Sequence, residues 1–207
     1  MTTTATINNL DLVGGDPVLD FLNTLDGRRG ETQVDRLRGY DDLVTFEQRV
    51  GWLPRDTAVA LLVTAQAAPA AAQSTLEAAL ALRENLYRMF HALATGDMPA
   101  TTDLDTFNRV LERQCTRQRV EADGRALRWQ LQLDAADCST VLAPVAVAAA
   151  QLLTAEQPQR IKECRGNRCG WMFLDTSRNR SRHWCSMKTC GNVAKVRRFR
   201  RNRPAHG

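Results

Sequence analysis

The spacing of apolar and polar positions predicts a mainly helical first half of the chain. Apolar residues recur three and four positions apart over several stretches, which places them on one face of a helix. Pro54 suits a first helical turn, and Gly96 follows the longest periodic stretch, where a glycine commonly ends a helix. Helices are predicted over residues 17–25, 40–52, 54–68, 72–95 and 103–115.

After these helices the period shortens towards two, which is typical of β-strands. Residues 118–122 and 125–133 flank the dipeptide Asp123-Gly124, which favours a tight type I′ turn, so a β-hairpin is predicted. Residues 142–153 predict a last Ala-rich helix. The predicted fold class is therefore mainly α with a small β-hairpin, of the α+β type.

Charge is divided unevenly along the 207 residues. From Arg160 onwards, fourteen Lys and Arg stand against two acids, a formal net charge of +12, whereas residues 1–159 carry −7. A basic segment attached to an acidic domain predicts contact with a polyanion, with a solvated charged surface as the alternative. We predict a helical domain over 1–158, with its β-hairpin near 118–133, and a basic domain over 159–207.

Two further features bear on location. The first residues lack the basic and apolar regions of a signal peptide, so we expect a cytoplasmic protein. The longest apolar run, residues 141–153, is too short for a bilayer and contains a proline, so no membrane partner is expected.

Four cysteines near the C-terminus form two Cys-x4-Cys pairs separated by fifteen residues. They are Cys164, Cys169, Cys185 and Cys190. In a reducing compartment, paired cysteines are more often metal ligands than disulfides, and four thiolates complete the closed tetrahedral shell of a structural zinc site. One structural Zn²⁺ is predicted; an iron–sulfur cluster is the alternative, although ferredoxin spacing is missing. We find no convincing catalytic constellation and expect no enzyme.

The residues around the cysteines predict a knuckle and a hairpin. Gly166 and Asn167 suit the left-handed conformation that would turn two sulfurs towards one ion. Residues 170–174 and 183–185 predict the two strands of a short hairpin. With a helix following, this order is the treble-clef arrangement.

The helix after the second cysteine pair is predicted to be amphipathic. Ser186 suits its N-cap, it runs from 187 to about 201, and Cys190 lies in its first turn. A narrow apolar stripe is expected to pack against the finger, leaving the basic face free to bind. The stripe consists of Val193, Val196 and Phe199.

The basic residues of this region are the candidates for phosphate contact, because the guanidinium fork pairs with two phosphate oxygens. The candidates are Arg178, Arg180, Arg182, Lys188, Lys195, Arg197, Arg198, Arg200 and Arg201. Arg165, Arg168 and Lys188 lie beside the cysteines, where they either neutralise the formal −2 charge of a four-thiolate zinc centre or also reach phosphate.

The aromatic residues have two interpretations. Trp171, Phe173, Trp184 and Phe199 either stack on unpaired bases or form a small core around the metal, and we favour the core. His183 is a surface residue in our interpretation, because four cysteines already complete the zinc shell.

Two segments resemble known families. HWCSMKTCGNVAKVRRFRRNR resembles the zinc finger of the bacterial CGNR family, and GGDPVLDFLNT is similar to the opening of the ABATE domain that usually precedes it. The resemblance implies a zinc-binding, stress-linked transcription regulator whose finger contacts nucleic acid. The family motif ends in an arginine where this chain has Val193. If that arginine contacts phosphate or the knuckle in the family, Lys195 or Arg197 would replace the contact here.

Within the ABATE-like segment, Asp20 and Asn23 either line a ligand pocket or tie the first helix to its neighbours. The function predicted overall is a DNA-binding regulator, with a homodimer and a small-molecule effector as further partners. RNA or single-strand binding and a zinc-folded protein-interaction module are the alternatives.

Overall fold

The computed structural model describes residues 5–201, and it is mainly helical with small β-hairpins, as predicted. Within residues 5–201 there are seven α-helices: α1 Pro17–Leu22, α2 Tyr40–Arg49, α3 Arg55–Ala67, α4 Pro69–Thr95, α5 Thr101–Cys115, α6 Leu142–Leu153 and α7 Asn192–Arg201. The same described residues contain six strands in three antiparallel pairs: β1 Leu25–Asp26 with β2 Val34–Asp35, β3 Gln118–Asp123 with β4 Ala126–Leu131, and β5 Ile161–Glu163 with β6 Met172–Leu174. The last six residues of the predicted 159–207 domain lie outside the described residues.

Helix α4 forms the centre of the helical layer. It has Pro69 in its first turn and ends at Gly96, whose φ of +90° is the left-handed conformation expected of a C-terminal glycine. Its apolar stripe is buried, including Leu82, Leu86 and Phe90. The helix packs against α1, α2, α3, α5 and α6, so the long periodic pattern in the sequence marks the centre of the core.

The β3–β4 hairpin turns one residue later than the sequence suggests. Asp123 pairs with Ala126, so the two loop residues are Gly124 and Arg125, and of these Gly124 has a positive φ, +61°. A type I′ turn needs positive φ at both loop positions, so the predicted turn type is wrong. The observed register places Ala122 opposite Leu127, whereas a loop at Asp123-Gly124 would have placed it opposite Arg125.

The C-terminal hairpin has a different partner strand from the predicted one. β6 lies within the expected 170–174 segment, but it pairs with β5, with Lys162 opposite Phe173. The predicted strand at 183–185 is not formed; one bond from the Arg165 N–H to the His183 carbonyl, 3.0 Å, joins that segment to the end of β5. The knuckle is therefore the loop of the β5–β6 hairpin.

The hydrophobic core continues from the helices into the cysteine region. Ile161, Met172 and Phe173 are almost fully buried and belong to the same apolar cluster as the residues of α1 and α4. β5 packs against α4, and β6 packs against α1. The boundary at residue 158 stays a prediction, but the two segments share one core.

Among the described helices, none is by itself long and apolar enough to cross a membrane. α3 and α4 would meet the length and composition criteria together, but they bend by 117° where they join.

Candidate metal centre and basic surface

The four cysteine sulfurs converge on one point. All four lie within 4.8 Å of one another, and Cys185 Sγ lies 3.7 Å from both Cys169 Sγ and Cys190 Sγ. A zinc–sulfur bond of about 2.3 Å gives a tetrahedron with an edge of about 3.8 Å, whereas a disulfide needs sulfurs about 2.05 Å apart. The cysteines therefore form a structural site for one Zn²⁺, which confirms the prediction.

The four thiols interact by hydrogen bonds that shift their ionisation. Hydrogen bonding with Cys169 and Cys185 lowers the pKa of the Cys164 thiol, while hydrogen bonding with Cys164 raises the pKa of Cys169 and of Cys185. These contacts favour a thiolate at Cys164. Because zinc binds thiolates, loading the site must release protons, and metal affinity falls as pH falls.

A glycine is needed at position 166 because a side chain would not fit there, and not because the backbone has a positive φ. In the knuckle, residues 164–171, the positive φ is at Gly170, +76°, so the predicted left-handed Gly166 and Asn167 are wrong. A Cβ at position 166 would lie 3.0 Å from Cys190 Sγ and 3.0 Å from Cys169 Cβ, which is too close for an ordinary contact. The Gly166 N–H also points at Cys164 Sγ, 3.4 Å away, and favours its thiolate.

The segment GGDPVLDFLNT holds the finger hairpin against α1. The Asn23 side chain donates to the Met172 carbonyl, 2.9 Å, and accepts from the Met172 N–H, 2.8 Å. Next to this pair, the Leu174 N–H donates to the Gly14 carbonyl, 2.7 Å. Asn23 therefore acts like one residue of an additional strand beside β6.

Asp20 supports the same contact from within α1. Its carboxylate accepts from the Gly14 N–H, 2.7 Å, and burial raises its pKa to about 6 in spite of that bond. Asp20 and Asn23 are 5% and 1% exposed. The polar atoms of both residues bind groups within the fold. These contacts support the structural alternative, in which Asp20 and Asn23 tie the first helix to its neighbours, and they do not support a ligand pocket.

Two residues that the sequence analysis missed complete the attachment of the knuckle. The Tyr87 hydroxyl lies 3.0 Å from both Glu163 Oε1 and the Gly170 carbonyl oxygen. Arg29 donates to the Cys164 carbonyl, 3.0 Å, and forms an ion pair with Glu163, 2.5 Å. Neither residue stands in a recognisable pattern, so no signal in the sequence could have identified them.

The helix that follows Cys185 begins with a π-turn. Met187–Gly191 is π-helical, with the Gly191 N–H donating to the Ser186 carbonyl, 3.0 Å, and α7 continues from Asn192. Ser186 is at the N-cap position, as predicted, but its side chain makes no capping bond. The wider turn includes Cys190, whose sulfur belongs to the metal site.

Helix α7 leaves its apolar stripe exposed. Val193, Val196 and Phe199 are 56%, 41% and 70% exposed, so the expectation that this face packs is wrong. The basic residues of the helix are exposed as well: Lys195, Arg197, Arg198, Arg200 and Arg201. Lys188, in the π-turn, is also exposed.

The remaining predicted contact residues lie in the loop between β6 and Cys185. Arg178 and Arg180 are exposed. Arg182 is used inside the fold: it donates to the carbonyls of Trp184, 2.9 Å, and Val13, 3.1 Å, and its guanidinium lies 4.4 Å from the centre of the Phe173 ring. Arg182 therefore does not belong to the exposed basic surface.

The aromatic residues divide between core and surface. Trp171 and Phe173 are buried, and Trp184 is half-buried against the core, as the core interpretation predicts. Phe199 is exposed. His183 is exposed and does not belong to the cluster of metal ligands that the described residues form.

Comparison with known families gives two matches that together cover most of the chain. Residues 15–156 match ABATE, described as a "putative stress-induced transcription regulator", and residues 160–203 match the CGNR zinc finger. No curated protein matches the chain.

Proposed function

Because the chain belongs to the ABATE family and ends in a CGNR zinc finger, we propose that it is a cytoplasmic, non-catalytic transcription regulator that binds duplex DNA. In this proposal zinc has no chemical role. Its four thiolates hold the knuckle and α7 in a fixed relation, so that cations from both segments face the same polyanion.

The observation that carries the proposal is the set of exposed cations on this scaffold. Lys195, Arg198 and Arg201 on α7, together with Arg178 in the loop, have no hydrogen-bond or ion-pair partner within residues 5–201. The acidic residues of the chain lie almost entirely before residue 160, where the formal net charge is −7. An acidic body would keep the phosphate backbone on the finger side.

Duplex DNA is favoured over a single strand by the burial of the aromatic residues. Base stacking needs exposed rings, and Trp171 and Phe173 are in the core. Phe199 remains exposed on α7, so RNA or single-strand binding is the second candidate. A protein-interaction module is the third, since a basic helix also fits an acidic partner.

The test is a salt titration of duplex binding by fluorescence anisotropy. Counterion release predicts a linear fall of log affinity with log salt, with a slope of about 0.9 per phosphate neutralised. Lys195→Gln combined with Arg198→Gln should lower that slope by about two such units, because both side chains are exposed on α7. The control is Arg113→Gln, an exposed cation on α5, which should leave the slope unchanged.

Three outcomes decide between the candidates. Absence of duplex binding at about 50 mM salt would remove the proposal. A clear preference for structured RNA in competition would favour the second candidate. Partners that survive nuclease treatment would favour the interaction module.

A homodimer is also part of the proposal, and the β3–β4 hairpin is the surface that favours it. Val120, Leu127 and Trp129 share one face of this hairpin and are 65%, 77% and 49% exposed. An isolated two-stranded hairpin is marginally stable, and a second copy would cover the apolar face of both. Light scattering should find a dimer that Trp129→Ser converts to monomer; a monomeric wild type at tens of micromolar would exclude it.

A further inference from the structure

A cavity, which we call the junction pocket, lies between the C-terminal end of α4 and the finger. Its volume is about 400 Å³. Five cations line it, Arg29, Lys162, Arg165, Arg180 and Arg182, with Glu163 as the one carboxylate of its lining. Some of these cations are already paired within the fold, and two of them are not.

Three of the five cations have partners inside the fold. Arg29 pairs with Glu163, 2.5 Å. Lys162 pairs with the buried carboxylate of Asp175, 2.6 Å. Arg182 donates to backbone carbonyls. These three cations are therefore already paired within the fold.

The other two cations have none. The side chains of Arg165 and Arg180 are exposed and make no hydrogen bond or ion pair with any residue of the described chain, 5–201. The lining therefore carries two uncompensated positive charges that face one cavity. The exposed ring of His183 adds a further polar group beside them.

The loop that carries Arg180 is held rigidly. Asp175 is fully buried and accepts from the Ser177 N–H, 3.0 Å, and from the Arg182 N–H, 3.0 Å, so the loop folds around it. Lys162 also donates to the Arg180 carbonyl. Arg180 has a φ of +49°, the one positive value at a non-glycine residue in the part of the chain described. Strained backbone of this kind clusters at ligand clamps, where the surrounding structure enforces it.

Arg165 is fixed from the other side. It follows Cys164 directly, and its N–H donates to the His183 carbonyl, 3.0 Å, so its backbone is tied to both halves of the metal site. Two arginines on rigid segments therefore face the same cavity. A planar guanidinium presents paired N–H donors to tetrahedral oxyanions, and two of them match the charge of a phosphate dianion.

We propose that the junction pocket binds a phosphate group through Arg165 and Arg180. The phosphate comes either from a small phosphorylated compound or from the nucleic-acid backbone, and the second source rests on the proposed function.

Isothermal titration calorimetry with inorganic phosphate tests the pocket on the full-length zinc-loaded protein. The wild type should bind, and Arg165→Gln combined with Arg180→Gln should weaken binding at least tenfold, because charged hydrogen bonds are lost. The matched control, Arg109→Gln combined with Arg113→Gln, removes two exposed arginines of α5 and should change affinity less than twofold. Equal affinity of the wild type and the pocket variant, or no binding to either, overturns the proposal. Unchanged melting temperatures and zinc content confirm that both variants are folded.

The salt dependence of duplex binding identifies the source of the phosphate. If the backbone occupies the pocket, the pocket variant lowers the log–log slope by about 0.9 to 1.8. If a small compound is the ligand, the slope is unchanged while phosphate binding is lost. Phosphate binding without any DNA binding would support the pocket and reject the regulator proposal, so the two fail separately.

Discussion

Replacing Asn23 with alanine tests whether α1 holds the finger hairpin in place. The side chain is 1% exposed and makes two hydrogen bonds, of 2.9 and 2.8 Å, to the carbonyl and N–H of Met172. Met172 stands opposite Glu163 in the β5–β6 register. The neighbouring pair, Cys164 and Trp171, is the one joined by a hydrogen bond, from the Cys164 N–H to the Trp171 carbonyl. Because such bonds alternate along an antiparallel pair, the N–H and carbonyl of Met172 face away from β5. Alanine would therefore leave both buried groups without a partner.

The expected cost follows from those two groups. An unsatisfied buried donor or acceptor costs about 1–3 kcal/mol, so Asn23→Ala should lower the free energy of unfolding by about 2–5 kcal/mol. The strand that it releases, β6, begins three residues after Cys169, and its partner β5 ends at Glu163, next to Cys164. Zinc should therefore leave the variant faster than the wild type when a chelator is added.

Urea unfolding followed by circular dichroism measures the first effect, and a colorimetric chelator measures the second. The matched control is Asn85→Ala, since Asn85 is also buried but donates to Asp103 on α5, far along the chain from the cysteines. The control should lose stability without faster zinc release below the unfolding transition. A loss of less than about 0.5 kcal/mol in Asn23→Ala, or equal zinc release in both variants, would refute the reasoning.

Three further predictions concern single residues. Cys164→Ser should reduce the metal content from about one zinc per chain to none by elemental analysis, and retained zinc would contradict the four-cysteine site. Gly166→Ala should lower zinc affinity in a chelator competition, because the added Cβ would lie 3.0 Å from Cys190 Sγ; unchanged affinity would mean that the knuckle relaxes freely. Glu47 is fully buried without a partner for its carboxyl oxygens, and burial raises its pKa. The carboxyl is neutral in the fold but ionises in the unfolded chain above about pH 4. The free energy of unfolding of the wild type should therefore fall, relative to that of Glu47→Gln, as pH rises from 5 to 8. Parallel pH profiles of the two proteins would show instead that Glu47 stays ionised in the fold.

The helices and the metal site were the predictable parts of this molecule. Apolar residues three and four positions apart form one continuous face only in a helix, and α4 shows this face from Pro69 to Thr95. The cysteine spacing likewise predicts convergence on one ion, because thiolates have few other uses in a reducing compartment. Both signals are local, which is why the sequence carries them.

The errors lie where tertiary contacts decide. The sequence predicted that residues 170–174 pair with residues 183–185. In the structure, Asn23 and Gly14 bind one edge of β6, and β5 pairs with its other edge. Sequence periodicity cannot reveal an edge contact between residues about 150 positions apart. The same limit explains α7, whose apolar stripe predicted packing that the neighbouring elements do not provide.

The most direct test of the account is the duplex affinity of the protein before and after zinc removal, measured by anisotropy at about 50 mM salt. If the four thiolates hold the knuckle and α7 in the geometry that binds DNA, removing zinc should weaken binding at least tenfold, and adding zinc back should restore it. Affinity that is unchanged after complete zinc removal would contradict the account, because the basic residues would then bind without the structure that the metal supports.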